Sequence, residues 1–540
     1  MIKNNEWWRG SVIYQIYPRS FLDSNGDGVG DLKGIINKLN YIASLGVDGI
    51  WISPFFTSPM KDFGYDVSNY RDVEPLFGNI EDFKDLITKA HELNLKVLID
   101  QVMNHTSVEH PWFIESRSSK ENPKSDWFVW ADPKADGSPP NNWLSIFGGS
   151  AWKWEARRHQ YYLHNFLESQ ADVNFHNPEV RQQILDETEF WLKLGADGLR
   201  LDVVNFYFHD QQLRDNPPLP KDAKRNVNAP SDNPYTYQRH LYDVSQPENI
   251  AFLRDIRNLL NKYNATSVGE IGDDHPLKTM TAYTNGNDKL HMAYTFDLLT
   301  EKADIPYIKD VVKNLNDNIG DGWPCWALSN HDSVRAVTRW GKGVEPHKIA
   351  PIYMAFLLSI KGSACIYQGE ELGLPEADVP FEKIQDPYGI PFWPEYKGRD
   401  GCRTPIPWEA DTTNAGFSVV EPWLPVPIEH LELSREQQEQ SVTSTLNRYR
   451  QFIKWRKKQS ALIDGEIEIL ESNDQSLLFL RHGDKQSILV AMNLSSKDTA
   501  IEFSKEGKLN PLEGHGFHGE LEGNNSIKLA AYDAFYAVVE

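Results

Sequence analysis

Gly198-Leu-Arg-Leu-Asp202 is a short apolar run that ends in a carboxylate, and two further runs end in the same way. They are Thr266-Ser-Val-Gly-Glu270 and Cys325-Trp-Ala-Leu-Ser-Asn-His-Asp332. A carboxylate has little reason to terminate a buried strand unless it faces something. In a barrel of parallel strands the carboxyl ends converge on one mouth, where barrel enzymes carry out their chemistry. The three acids are therefore predicted to meet at a single site.

Short apolar runs with strand character alternate with amphipathic stretches of helical period. This alternation predicts parallel pairing, and near-continuous apolar runs predict burial on both faces. The sequence therefore predicts an α/β fold, a (β/α)8 TIM barrel of larger than usual size. The candidate strands are Val12–Tyr17, Gly49–Ser53, Val97–Val102, Gly198–Val203, Ser267–Ile271, Met292–Phe296, Cys325–Ser329 and Ala364–Tyr367. The helical candidates are Leu32–Leu45, Ile80–Leu93, Pro178–Leu194, Glu248–Tyr263 and Lys348–Ile360.

The spacing of these elements predicts more than one domain. The interval after the third strand is too long for a structureless loop, so residues 103–171 are predicted to form a small inserted domain. The pattern changes near residue 461, and residues 461–540 are predicted to form an all-β domain. Residues 1–102 and 172–460 then form the barrel. Two further long stretches, at about 206–243 and 373–436, are expected to wall the mouth together with the inserted domain.

Composition limits the kinds of partner. The 540-residue chain has a net charge of −22, which argues against nucleic acid and anionic membrane and is compatible with a neutral substrate. No apolar stretch approaches about 20 residues and the N-terminus has no signal-like apolar region, so a soluble, cytoplasmic protein is predicted. The cysteines, Cys325, Cys365 and Cys402, are too few and too scattered for a disulfide framework. Neither a P-loop nor a haem-attachment motif is present, and no organic cofactor is expected.

The acids at the strand ends suit the cleavage of a glycosidic bond. Arg200 and Asp202 share a strand face, and the guanidinium is expected to lower the pKa of Asp202, which suits an ionised nucleophile. Glu270 follows apolar residues, where a carboxylic acid can keep a raised pKa and act as general acid and base. Asp332 can orient sugar hydroxyls and stabilise positive charge in the ring. The alternative for Arg200 and Asp202 is a structural ion pair.

His105 closes the third strand in Asp100-Gln-Val-Met-Asn-His105. A single histidine is often only a packed or capping residue. This one is predicted at the same rim as the acids, and hydrogen bonding to a sugar is favoured.

The loop Asp23-Ser-Asn25-Gly-Asp27-Gly-Val29-Gly-Asp31 carries oxygen ligands at alternate positions around glycines. This spacing suits a hard divalent cation, Ca²⁺ or Mg²⁺, in a structural role. Gly34 stands where an EF-hand would have its closing Glu, so the loop lacks that bidentate ligand. The alternative is a turn rich in Asp and Asn that needs no metal.

These segments resemble glycoside hydrolase family 13, the α-amylase family, and within it the α-glucosidase and oligo-1,6-glucosidase branch. The likeness covers essentially the whole chain, and it implies a barrel with an inserted domain after strand three and a C-terminal antiparallel β-sandwich. The matching stretches are Trp7-Trp8, Val12–Phe21, Asp62–Val67, Asp100–His105, Gln170–Phe175, Gly198–Phe206, Glu270, Asn330–Asp332 and Gly398–Pro405.

The resemblance also implies residue roles. Asp202 is the nucleophile, Glu270 the acid/base and Asp332 the stabiliser of the transition state. Asp62 and Arg399 are expected to pair across the pocket floor, and a closed floor would make the enzyme exo-acting. The metal loop of this branch is matched by Asp23, Asn25, Asp27, Val29 and Asp31. The residues assigned to the sugar are Asp62, Tyr65, His105, Phe166, Arg200, Val203, His331 and Arg399.

The predicted activity is that of a retaining exo-α-glucosidase acting on short α-glucosides such as maltose, isomaltose or sucrose, with possible transfer of glucose to an alcohol. Val203 resembles the residue in α-1,6-preferring members, whereas α-1,4-preferring ones tend to carry Thr, so α-1,6 or mixed specificity is favoured. Ala171 departs from the Pro usual in the branch, and Glu270 is followed by Ile-Gly-Asp-Asp where oligo-1,6-glucosidases commonly have Met-Pro-Gly.

Two other functions stay open at this stage. One is a transglucosidase or isomerase such as a trehalose synthase, and the other is a non-catalytic sugar-binding relative. The protein is expected to be a monomer or homodimer.

Overall fold

A closed sheet of eight parallel strands lies at the centre of this computed structural model, which describes residues 6–223, 230 and 232–540. The strands are β1 Val12–Ile16, β2 Gly49–Ile52, β3 Lys96–Gln101, β4 Gly198–Leu201, β5 Thr266–Ile271, β6 Met292–Thr295, β7 Cys325–Ala327 and β8 Ser363–Tyr367. They pair in the order β6-β5-β4-β3-β2-β1-β8-β7, and a parallel bridge between Ala293 and Pro324 joins the two ends. The predicted barrel is therefore confirmed.

The barrel interior is packed with side chains that alternate along these strands. One cluster of buried residues includes Ile13, Trp51, Leu98, Val268 and Met292. The three cysteines are free and buried. A filled interior leaves the strand ends as the place for a site.

A helix follows each barrel strand. The helices after β1, β2, β3, β4 and β7 match the five that were predicted, and those after β5, β6 and β8 were not predicted. Side chains close in sequence cap the starts of several helices. In one capping box, for example, the Asn79 side chain accepts hydrogen bonds from the N–H groups of Glu81 and Asp82. The helices are Leu32–Ser44, Ile80–Glu92, Pro178–Lys193, Asn249–Tyr263, Pro276–Thr284, Ile305–Asn318, Pro346–Ser359 and Thr445–Arg456. None of the helices in the described part of the chain has the length and apolarity needed to span a bilayer.

The segment between β3 and β4 contains short antiparallel strands. Trp130–Ala131, Gln160–Leu163 and Trp152–Glu155 form a three-stranded sheet, and His105–Ser107 pairs with Gln170–Asp172. These strands fall in or at the edge of the predicted inserted domain, whose boundaries stay a prediction.

After the barrel the chain forms two antiparallel sheets that pack on a shared apolar core. Leu509–Pro511 and Glu520–Glu522 are too short and polar to have stood out in the sequence. The five-stranded sheet contains Glu466–Ile469, Ser476–His482, Ser487–Asn493, Ala534–Val539 and Leu509–Pro511. The three-stranded sheet contains Thr499–Glu502, Ser526–Leu529 and Glu520–Glu522. The described residues do not include 1–5, 224–229 and 231. Part of the predicted stretch at about 206–243 therefore lies outside them.

Candidate active site

The carboxyl ends of the barrel strands open into one cavity, and the three strand-end acids all line it. Arg200 and His331 are fully buried against these acids. The structure thus brings together side chains that are far apart in the sequence. The predicted site residues that line the cavity are Asp62, Tyr65, His105, Phe166, Asp202, Val203, Glu270, Asp332 and Arg399.

Arg200 connects the acids at the ends of β4 and β5. Its Nη1 donates to Asp202 Oδ1 at 2.6 Å and to Asp100 Oδ1 at 2.9 Å. Its Nη2 lies 2.7 Å from Glu270 Oε2. Since one planar guanidinium contacts both Asp202 and Glu270, the two carboxylates are close neighbours in one cavity, the arrangement that a retaining glycosidase needs.

Burial dominates the ionisation of this pair. The sequence led us to expect that Arg200 would lower the pKa of Asp202. Burial instead raises the pKa of Asp202, because the single charge of Arg200 is shared with Asp100 and Glu270. Burial also raises the pKa of Glu270, to about 7, which is the direction expected for a general acid.

Asp332 has the opposite ionisation behaviour. Burial opposes its negative charge, but the guanidinium groups of Arg399 and Arg403 outweigh burial and lower the pKa of Asp332. Arg399 Nη1 and Arg403 Nη2 donate to its Oδ1 at 3.1 and 2.8 Å. The cavity therefore combines one firmly ionised carboxylate with a pair that retains a proton near neutral pH.

Two donors hold Glu270 in addition to Arg200. The Tyr294 hydroxyl donates to Oε1 at 3.0 Å, and the Val203 N–H donates to Oε2 at 3.1 Å. Tyr294 was not singled out in the sequence. The sequence did carry a signal for Tyr294. This residue lies on a predicted strand, at one of the alternate positions whose side chains face the barrel interior.

An ion network lies along one side of the cavity, where Asp62 and Arg399 line it. The expected pair is present, with Arg399 Nη2 2.9 Å from Asp62 Oδ1. Arg399 Nη2 also lies 2.7 Å from Asp386 Oδ1, and Gln170 Nε2 donates to Asp62 Oδ2 at 3.0 Å. Asp386 was missed because it lies in an irregular segment with no periodic signal. Three carboxylates, those of Asp62, Asp332 and Asp386, thus surround one guanidinium.

The two predicted histidines are neutral hydrogen-bonding groups. Burial lowers the pKa of His105 to about 4, and its Nε2 lies 3.0 Å from the Tyr65 carbonyl oxygen. Burial also lowers the pKa of His331, whose Nε2 is 2.5 Å from the Tyr65 hydroxyl. Tyr65 stacks on His331 with ring centroids 5.3 Å apart. These rings form a rigid polar wall beside Asp332.

Aromatic side chains from the three long stretches complete the cavity wall. Phe147 and Phe166 come from the segment after β3, Phe206 and Tyr235 from the stretch after β4, and Tyr388 and Tyr396 from the stretch after β8. The predicted contribution of these stretches to the mouth is therefore confirmed. Sequence reasoning did not single out most of these rings, because aromatic residues are plentiful throughout the chain.

The acidic loop at residues 23–31 is built around its own hydrogen bonds. Asp23 accepts from the Gly26 and Gly28 N–H groups at 2.6 and 2.8 Å, and Asp31 Oδ2 accepts from the Ser24 N–H at 2.9 Å. Within the residues that the structure describes, no group of three His, Cys, Asp or Glu side chains is arranged to hold a metal ion. The oxygen-only donor set still suits a hard cation. The metal site stays a prediction.

Comparison with known proteins agrees with this architecture. The catalytic domain of the α-amylase family matches residues 15–465. A probable α-glucosidase of Rhizobium meliloti is 52% identical over 538 residues, covering 99% of this chain and 97% of that protein. An oligo-1,6-glucosidase of Heyndrickxia coagulans is 36% identical, covering 92% and 94% of the two chains.

Solved structures share this fold over nearly the whole chain. The α-glucosyl transfer enzyme XgtA superimposes with a TM-score of 0.96 at 53% identity, covering 99% of each chain. The trehalulose synthase MutB of Pseudomonas mesoacidophila superimposes with a TM-score of 0.89 at 30% identity, covering 99% of each chain. The chain belongs to the α-amylase family of glycoside hydrolases. Its relatives place it in the α-glucosidase and oligo-1,6-glucosidase branch of that family, and small α-glucosides are its class of substrate.

Proposed function

We propose that this chain is a retaining, exo-acting α-glucosidase. It removes the terminal non-reducing glucose of short α-glucosides, through α-1,6 linkages, α-1,4 linkages or both, and it can pass the glucosyl group to an alcohol. The observation that carries the proposal is the contact of one guanidinium, that of Arg200, with both Asp202 and Glu270.

In this mechanism the two acids act on opposite ends of the bond that breaks. Asp202 attacks the anomeric carbon while Glu270 protonates the departing oxygen. Glu270 then takes a proton from water, or from an acceptor alcohol, which displaces Asp202 and completes the second inversion. The raised pKa of Glu270, about 7, supports both halves of this role. Asp332, ionised throughout, stabilises positive charge that develops in the ring.

The floor of the cavity supports exo action. We infer that the ion network of Asp62, Arg399 and Asp386 blocks the continuation of a longer chain past the terminal glucose. Charged groups that are already paired and buried can accept hydrogen bonds from the hydroxyls of a single hexose. The enzyme therefore releases one glucose at a time.

The catalytic assignment is tested with 4-nitrophenyl α-glucoside. Asp202→Asn should lose at least about 10³-fold in kcat, because the nucleophile is removed while its shape is kept. An undiminished rate would exclude Asp202 as the nucleophile. NMR of the first-formed glucose tests retention: the α anomer is expected, and the β anomer would show inversion.

A transglucosidase or isomerase is the second candidate function. The similarity to a glucosyl transfer enzyme and to a trehalulose synthase favours it, as does the aromatic wall, which disfavours bulk water near the glucosyl-enzyme. Product analysis on maltose separates the two functions. Free glucose as the main product supports the hydrolase, and a disaccharide isomer supports the alternative.

Linkage preference, metal content and assembly state also stay proposals. Comparison of kcat/KM for isomaltose, maltose and sucrose tests the proposed α-1,6 or mixed preference. We propose that a structural Ca²⁺ or Mg²⁺ binds to the loop residues Asp23, Asn25, Asp27, Val29 and Asp31. Elemental analysis should find about one equivalent of the metal, and its removal by EDTA should lower Tm. Light scattering tests the monomer or homodimer, and cell fractionation tests the cytoplasmic location.

A further inference from the structure

The two proposed catalytic acids lie one step beyond a strand pairing. The β4–β5 ladder runs from Gly198 opposite Thr266 to Leu201 opposite Gly269. Asp202 and Glu270 are the next residues on each strand. Their separation therefore depends on what holds the two chains together after the last rung.

A side chain continues the pairing on the far side of the acids. The Asn205 Nδ2 donates to the Gly272 carbonyl oxygen at 2.8 Å, and the Gly272 N–H donates to Asn205 Oδ1 at 3.1 Å. The carboxamide thus pairs with a peptide group in the way that a neighbouring strand would. Asn205 is fully buried, so water does not compete for these two bonds.

The backbone between Asp202 and Asn205 is under constraint. Val203 has a φ of +37°, a left-handed conformation that is costly for a β-branched residue. This conformation directs the Val203 N–H to Glu270 Oε2 at 3.1 Å, and the next N–H, of Val204, donates to the Glu270 carbonyl oxygen at 3.0 Å. Such a segment needs an anchor at each end. The ladder is the first anchor, and Asn205 is the second.

We propose that Asn205 is a positioning residue that sets the geometry between Asp202 and Glu270. The proposal rests on the proposed function of those two acids. It predicts that losing the Asn205–Gly272 pairing lets residues 203–205 relax and misaligns the proton donor more than the nucleophile, because the peptide of Gly272 lies two residues from Glu270. Misplacement of a reacting group by about 1 Å costs on the order of 100-fold in rate.

Two substrates separate proton donation from all other effects. Phenyl α-glucoside has a basic leaving group that needs protonation, whereas α-glucosyl fluoride leaves without it. We compare kcat/KM, which reports only the step up to the glucosyl-enzyme. Asn205→Ala should lose on the order of 100-fold on phenyl α-glucoside and less than about 5-fold on the fluoride. Asn205→Asp, which keeps the acceptor for the Gly272 N–H, should fall between Asn205→Ala and wild type on phenyl α-glucoside.

Asn249 offers a matched control. It is also fully buried, and its Nδ2 donates to the Val204 carbonyl oxygen at 2.8 Å and to the Tyr283 hydroxyl at 2.9 Å. Asn249→Ala therefore perturbs the same segment without removing the pairing to Gly272. Equal losses on both substrates are expected for this variant.

The outcomes are distinguishable. Equal losses of Asn205→Ala on the two substrates would overturn the positioning role and indicate a structural one. If Asn205→Ala does not fold, as judged by circular dichroism, the same comparison with Asn205→Asp decides. If wild type hydrolyses neither substrate, or Asp202→Asn remains active, the proposed function itself fails and the role of Asn205 is overturned with it.

Discussion

Replacing Glu270 by Gln should remove most of the activity and, above pH 7, stabilise the folded protein. Glu270 is 3% exposed, and burial raises its pKa from an ordinary value of 4.5 to about 7. A carboxyl group with a higher pKa in the folded state binds its proton more tightly there, so its ionisation destabilises the fold. The cost is absent below pH 4.5, grows as the pH rises and is complete above about pH 7. At 1.36 kcal/mol per pKa unit, the full cost is about 3 kcal/mol.

The Gln side chain has nearly the shape of Glu but no charge, so this cost disappears. Its amide can still hydrogen bond with Tyr294, whose hydroxyl lies 3.0 Å from the corresponding oxygen of Glu270. Thermal unfolding of wild type and Glu270→Gln at pH 5, 6, 7 and 8 measures the effect. The Tm advantage of the variant should be small at pH 5, where about a quarter of the cost is present, and largest at pH 8.

Asp332 supplies the control of opposite sign. The folded state lowers the pKa of Asp332, so its charge stabilises the fold above the unfolded pKa, and that stabilisation is lost as the pH falls. Asp332→Asn should therefore lower Tm at pH 8. A Tm difference between wild type and Glu270→Gln that does not change with pH would refute the electrostatic reasoning. Activity of Glu270→Gln on phenyl α-glucoside should fall by at least about 10²-fold at every pH.

Three further substitutions test the rest of the cavity. Arg399→Lys replaces a guanidinium that contacts three carboxylates with a single ammonium. KM for 4-nitrophenyl α-glucoside should then rise by on the order of 100-fold. An unchanged KM would contradict a role of this ion network in sugar binding. Val203→Thr should shift the kcat/KM ratio toward maltose over isomaltose by roughly 5- to 150-fold, equivalent to about 1–3 kcal/mol. An unchanged ratio would show that this side chain does not set the linkage preference. Gly272→Ala adds a methyl group 3.9 Å from Phe206 and 4.0 Å from Phe296. It should reduce glucosyl transfer to benzyl alcohol more than hydrolysis, measured as the ratio of the two products, and an unchanged ratio would place the acceptor elsewhere.

Much of the site was predictable because polar residues that interrupt apolar strands are visible locally. Asp202, Glu270 and Asp332 each follow such a run, and the structure brings all three to one cavity. Asp386 and Asn205 carry no comparable signal. Asp386 lies in an irregular stretch, and only its contact with Arg399 reveals its role. Asn205 follows a strand as an ordinary polar residue, and only its contact with Gly272 distinguishes it.

The amino-acid order by itself determined the barrel, five of the helices between its strands and the acids of the mouth, since periodicity, capping and strand-end polarity are properties of neighbouring residues. Only the tertiary structure decided the protonation of those acids. Arg200 lies two residues before Asp202 and suggested a lowered pKa for that carboxyl group. The burial of Asp202, and the sharing of the Arg200 charge with Asp100 and Glu270, instead raise the pKa. Desolvation depends on everything packed around a group, and that packing exists only once the chain has folded.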